Sequence, residues 1–205
     1  MSKLRPMRIS AIIPAFNEET NIRKTVLRSI EALRSLFDQF EIILVDDASK
    51  DDTGRIADAL AAEHPEISVI HNRANVGQGE CQLIGFRNAK YELVTHNGMD
   101  YPFDFSDLSK MIPLLEDADI VVATRSRRAG YSLFRTIVSV TNVFLIQFLF
   151  PLRLRDYNFV QLFRKNAIDT AAINARSAGF VVPEILLRAY DAGFRIKEIE
   201  IEYHA

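Results

Sequence analysis

Acidic, amide and basic side chains gather at a few short places in this 205-residue chain. Asp46 and Asp47 are adjacent and follow the apolar run EIILV. Neighbouring side chains on a strand point to opposite faces, so one acid caps the next turn while the other accepts from a hydroxyl or an amide; Asp47 is the first choice for a ligand and Asp46 the second. Gly77, Gln78 and Gly79 open a helical pattern. Backbone N–H groups at a helix start suit an anion or a sugar hydroxyl, although a plain turn shows the same spacing. Arg125-Ser126-Arg127-Arg128 is a basic run that matches phosphate oxygens in a fork, or forms a solvated loop. After Pro14 and Phe16, the run Asn17-Glu18-Glu19 offers acceptors to a ligand, or a cap and dipole partners to a helix.

These residues need elements to hold them. RISAIIP (8–14) is a short apolar run stopped by proline, a buried strand. A helical pattern over 19–37 places Ile22, Val26, Leu27, Ile30, Leu33 and Phe37 on one stripe. Strands are expected over 41–47, 66–71 and 91–96, and a further one within 117–125. Helices are expected over 51–64, with Asp51 or Asp52 as N-cap, and over 77–90. Strands alternating with crossover helices predict an α/β fold with a mostly parallel central sheet covered on both faces. Ligands bind such sheets beyond the carboxyl ends of the strands, and that rule selects the residues above together with His71–Asn75 and His96–Asp100.

After residue 130 the pattern changes. Residues 159–164 predict a strand, 181–193 a helix and 196–203 a strand with one wet face. No linker intervenes, so 1–205 is taken as one domain of two halves, 1–128 and 129–205. Ile137–Phe150 is apolar on nearly all sides but only about 21 Å long as a helix, short of the ~30 Å hydrocarbon core. It is expected to be buried or to lie in a bilayer surface, where Arg135, Arg153 and Arg155 suit anionic headgroups.

A net charge of −2 excludes a global attraction to nucleic acid, so any anion site is local. Cys81 is the one cysteine, which excludes an internal disulfide and fits a reducing, cytoplasmic setting. It falls within a helix and is expected to be core rather than reactive. His64, His71 and His204 lack metal-ligand spacing and are taken as surface or turn residues.

The segments IIPAFNEE (12–19), EIILVDDASKDDT (41–53) and NVGQGECQLIGFRNA (75–89) resemble three successive blocks of the family 2 glycosyltransferases. ATRSR (123–127), RTIVSVTN (135–142), DYNFVQLFRK (156–165) and EILLRAYDAGFRIKEIEIEY (184–203) resemble later blocks, so the resemblance spans nearly the whole chain. The branch it resembles is that of the polyprenyl-phosphate sugar synthases, of the dolichyl-phosphate mannose synthase type. The resemblance implies the GT-A type, Rossmann-like sandwich that binds a nucleotide sugar.

It also implies roles. Pro14, Phe16 and Glu18 would line a nucleotide-base pocket, with Phe16 as a stacking face and Glu18 as an acceptor. The family's D-x-D pair, which binds Mg2+ or Mn2+ on the diphosphate, falls without gaps on His96-Asn97-Gly98. An imidazole and an amide hold such a cation poorly, so Asp100, with Asp104, would supply the ligands from a displaced loop, or arginines would replace the metal. Asn97 and Gly98 would remain beside the donor. Arg125 matches the family's Ser-Arg position, and Asp156 its acidic position near the acceptor. The block from Asp156 to Gln161 is one residue shorter than the family's. A lipid phosphate, with a second pKa of about 6, needs little help from a base, so Asp156 would orient Arg135 or Arg164. The resemblance further implies a nucleotide-binding half over 1–128, an acceptor-side half over 129–205, and basic residues beyond the last strand that contact the diphosphate; the sequence stops at Ala205, so either the chain is truncated or that contact is absent.

The expected activity is transfer of a sugar, with inversion, from a nucleotide donor to a polyprenyl phosphate or similar acceptor at the cytoplasmic membrane face. A soluble transferase acting on a saccharide hydroxyl and a non-catalytic nucleotide-sugar-binding module are the alternatives. Catalytic candidates are Asp100, Arg125 and Asp156.

Overall fold

The computed structural model describes residues 7–125, 148 and 150–201. Seven strands form one sheet: β1 (Arg8–Ala15), β2 (Gln39–Asp46), β3 (Ile67–His71), β4 (Leu93–His96), β5 (Ile120–Arg125), β6 (Val160–Arg164) and β7 (Ile196–Ile201), in the order β3-β2-β1-β4-β6-β5-β7. All neighbours are parallel except the two pairs that β6 makes with β4 and β5. The mostly parallel sheet is as expected from the sequence.

The period of two along each strand decides which core each side chain enters. On β1, Ile9, Ala11 and Ile13 join one cluster, while Ile12 joins the other. On β2, Ile42 and Leu44 face the first, and Ile43 and Val45 the second. The first core is covered by α1 (Ile22–Leu36) and α2 (Thr53–Glu63), the second by α3 (Gln78–Asn88) and α6 (Ala178–Asp191). The stripe Ile22, Val26, Ile30 and Leu33 of α1 is buried, as its spacing predicts, whereas Leu27 is exposed.

Between β4 and β5 the chain makes a 3-10 turn at Phe105–Asp107, the short helix α4 (Leu108–Met111) and a second 3-10 turn at Ile112–Glu116. Phe103, Phe105, Leu108 and Met111 drive this segment into the first core. A further short helix, α5 (Lys165–Thr170), follows β6. Asp52 occupies the position before α2 but its side chain makes no cap bond; the neighbouring Asp51 accepts from Thr53 N and Oγ1 instead.

The apolar segment from 137 to 147, Arg127, Arg128, Arg135 and the residues past 201 lie outside the described residues. Among the described residues, no helix is long and apolar enough to cross a membrane.

Candidate active site

The carboxyl ends of β1, β2 and β4 open on one cavity of about 210 Å3, lined by Pro14, Phe16, Glu18, Asp47, Gln78, Gly98 and Asp100 among others. Residues far apart in sequence thus meet where the parallel-sheet rule puts a ligand. Phe16 is 45% exposed, so its ring face is open to a planar group. Ala15, Cys81 and Met99 complete the lining.

Asp47 is 3% exposed and its carboxylate is fully engaged. Oδ1 accepts from Val76 N at 2.8 Å and Asn72 Nδ2 at 2.9 Å, and Oδ2 from Gly77 N at 2.8 Å. Burial pushes this acid up, but the Val76 N–H, the Asn72 amide and the Gly77 N–H outweigh it and hold the carboxyl below the usual range. The charge at the start of α3 is therefore met by Asp47. The Gly77 N–H expected to face a ligand anion is already donated to it. Gly77, with φ +89°, is needed for the turn, and Gly79 for space: a Cβ there would collide with the Arg176 carbonyl. Gln78, between them, does line the cavity.

Asp46 does not line the cavity. Its Oδ1 accepts from Ser49 N and its Oδ2 faces His71. His71 is exposed at the end of β3, as expected of a surface residue, and each of its ring nitrogens contacts a carboxylate, Asp46 on one side and Asp58 on the other.

The ungapped D-x-D register does not describe the geometry after β4. His96 points into the second core, 4% exposed, with its ring edge-on to Phe86. Its Nε2 donates to Gln161 Oε1 at 2.8 Å, because the Gln161 amide nitrogen is committed to Tyr157 O. Nδ1 then accepts from Gln82 Nε2. Burial holds the imidazole below the ordinary histidine value, against the Gln161 bond. Asn97 braces the turn, donating to Phe103 O at 2.7 Å and accepting from Gly98 N. The two cavity-lining positions one residue apart are Gly98 and Asp100. A Cβ at Gly98 would collide with Asp100 Oδ1, so the Asp100 carboxylate occupies the space a side chain at 98 would take.

Asp104 does not line the cavity. Arg28 Nη2 and Ser106 N donate to its carboxylate. The same Arg28 lies 4.4 Å from the Tyr101 ring centre, and Thr25 Oγ1 donates to Met99 O. Helix α1 thus fixes the turn that carries Asp100.

At the end of β5, Arg125 donates from Nε and Nη2 to Asp156 Oδ2, at 2.8 and 2.7 Å. Asp156 Oδ1 accepts from Asn158 N. Asp156 therefore orients Arg125, not Arg164, whose guanidinium lies against Asp119 and Leu115 O. Neither Arg125 nor Asp156 lines the cavity.

The profile of "Glycosyl transferase family 2" matches residues 10–178. An undecaprenyl-phosphate mannosyltransferase of Micrococcus luteus is 28% identical over 96% of this chain and 84% of its own. An undecaprenyl-phosphate 4-deoxy-4-formamido-L-arabinose transferase of Proteus mirabilis is 28% identical over 79% of this chain and 50% of its own, so this chain spans only half of that relative. A glucosyl-3-phosphoglycerate synthase from Mycobacterium tuberculosis superposes with a TM-score of 0.74 at 22% identity, over 97% of this chain and 71% of that one, which shows the GT-A type fold. The matched residues run from the cavity strands through Asp156 and into α6, and on that match the chain belongs to glycosyl transferase family 2.

Proposed function

We propose that this chain transfers a sugar from a nucleotide diphosphate donor to a polyprenyl phosphate, with inversion at the anomeric carbon, at the cytoplasmic membrane face. The observation that carries this is the cavity itself, which brings Phe16, Glu18, Asp47 and Asp100 together at the carboxyl ends of three strands. The acceptor class comes from the relatives, both of which are named for undecaprenyl phosphate.

In this reading Phe16 stacks on the base and Glu18 accepts from its edge. The acceptor's phosphate oxygen attacks from the face opposite the leaving diphosphate. Catalysis is positioning plus charge stabilisation. A diphosphate entering beside Glu18, Asp47 and Asp100 needs a counter-charge, and Asp100 is the residue that would hold a divalent cation. Among the described residues no cluster of three or more His, Cys, Asp or Glu side chains could hold a metal. One carboxylate fits magnesium or manganese when phosphate oxygens and water supply the rest. When bound, the ion neutralises the leaving group. Asp156 marks the acceptor side, and Arg125, which it orients, is the candidate for phosphate oxygens.

Calorimetry with UDP-glucose and GDP-mannose, with and without Mn2+, tests the donor site, and transfer to undecaprenyl phosphate tests the reaction. The expected result is metal-dependent binding of one donor, lost in Asp100→Ala. Unchanged binding in that variant removes Asp100 from the site, and binding of neither donor refutes the reading.

A further inference from the structure

His71 closes β3 beside the cavity without lining it. Its Nδ1 is 2.9 Å from Asp46 Oδ2 and its Nε2 is 3.0 Å from Asp58 Oδ1. An ionised carboxylate only accepts, so both contacts are hydrogen bonds only if both ring nitrogens carry hydrogen. The species that fits is the imidazolium. Asp46, at the end of β2, and Asp58, on α2, are the titratable groups set against the ring. The Asp46 side chain is 8% exposed and that of Asp58 65%. Water replaces a lost donor at Asp58, but not at Asp46.

Asp46 passes this dependence on. Its Oδ1 accepts from Ser49 N at 3.1 Å, Ser49 Oγ accepts from Asn17 N at 3.0 Å, and Asn17 Oδ1 accepts from Lys50 N at 2.8 Å. Asn17, at φ +53°, and Ala48, at φ +59° just before Ser49, are left-handed without being glycine. Such conformations persist only where surrounding bonds impose them. Asn17 lies between Phe16 and Glu18, both of which line the cavity.

We propose that His71, as an imidazolium, is a positioning residue for the donor pocket: it holds Asp46 and, through Ser49 and Asn17, the turn that presents Phe16 and Glu18. This rests on the cavity being the donor site. Loss of the proton leaves one N–H for two acceptors, and a ring lone pair then faces a carboxylate. It also turns a cluster of one cation and two anions into two anions, beside a cavity already lined by Glu18, Asp47 and Asp100. The hydrogen bond that the ring donates to Asp58, then the one it donates to Asp46, raise its pKa above the ordinary histidine value against burial. The pocket is therefore set below the His71 midpoint, which lies above the ordinary histidine value, and loosens as pH rises through it. Donor affinity should fall roughly three- to tenfold across it, the order expected for one added like charge near a surface site.

The test follows the His71 ring and the Asn17 amide by NMR across a pH series in the ligand-free protein. Calorimetry with UDP-glucose and GDP-mannose, whose diphosphate diesters do not titrate in this range, follows affinity. The expected result is one shared midpoint for ring, amide and affinity. Asp58→Asn should move all three to lower pH, since it removes one of the carboxylates that favour the proton, and His71→Gln should flatten the profile. An Asn17 amide indifferent to the ring's ionisation, or an Asp58→Asn profile that stays in place, overturns the proposal. If neither donor binds at any pH, the donor-site reading fails on its own, and the NMR arm still decides whether His71 sets the Asn17 turn.

Discussion

Arg125→Ala is the perturbation whose outcome separates a structural from a purely catalytic arginine. The Asp156 side chain is 7% exposed and that of Arg125 12%, and both guanidinium bonds go to the same oxygen. Truncation leaves that oxygen buried and unpaired, with only Asn158 N still donating to the other. Breaking a buried pair from one side costs about 3–5 kcal/mol. For a domain of this size that lowers Tm by roughly 6–20 °C. The guanidinium also lies 5.2 Å from the Phe159 ring centre, so a smaller cation–π contribution is lost with it. Urea unfolding is the assay, with the double variant Arg125→Met/Asp156→Asn beside the single one. The double variant removes the stranded charge, keeps an acceptor for Asn158 N and refills the stem, so it should regain most of the loss. An Arg125→Ala protein that unfolds within about 1 kcal/mol of the parent, or a double variant no more stable than the single, refutes the reasoning. Activity alone does not discriminate, because both roles predict its loss.

Other outcomes follow from the same geometry. Gly79→Ala should destabilise by about 1–3 kcal/mol in urea melts, because the new methyl meets the backbone at Arg176 and Ser177 rather than a side chain that can move. Gly98→Ala should weaken donor binding with little loss of stability, since Asp100, exposed at the cavity, is the group displaced; equal affinity by calorimetry would contradict the packing of Asp100 over Gly98. His96 is held below its unfolded value by burial, so its contribution is whole above about pH 6.5 and is lost as pH falls toward the folded value. Stability there should drop with a slope of up to about 1.4 kcal/mol per pH unit, and His96→Gln should flatten that slope. Cys81, its thiol pushed up to about 12 by burial and by the neighbouring Asp47, should resist iodoacetamide at mildly alkaline pH in the native protein and react once unfolded, as mass spectrometry would show.

The strands that carry the cavity are legible because buried parallel strands leave continuous apolar runs closed by polar residues, as in RISAIIP and EIILVDD. Phe16, Glu18, Asp47 and Asp100 could be nominated because each lies just past such a run. The partners of those residues are less legible. Nothing local ties Asp47 to Val76 and Gly77, His71 to Asp58, or Asp156 to Arg125. These bonds span 29, 30, 13 and 31 residues and exist only once the sheet has assembled. Which residues past β4 reach the cavity is hard to read for a related reason. His96 belongs to the strand and its parity sends it into the core, so the cavity-lining pair starts two residues later, at Gly98. The helical turns over 105–116 carry no amphipathic period, being too short to show one, and their burial rests on single aromatic residues such as Phe103 and Phe105.

The place of β6 bears on how the protein is made. A strand near residue 160 lies between two that precede it, pairing Leu93 with Arg164 on one side and Ala123 with Val160 on the other. During synthesis, β4 and β5 therefore wait with open edges. At about 5–20 residues per second, the 68 residues from His96 to Arg164 take roughly 3–14 s to add. Open edges are templates for wrong pairing over such times. Insertion of β6 closes the open edge of β4 and one edge of β5 in one step, leaving the other edge of β5 to β7, and seats Gln161 on His96. A nascent chain stalled before this point should engage chaperones, and a chain cut after residue 128 should aggregate rather than persist as a nucleotide-binding half.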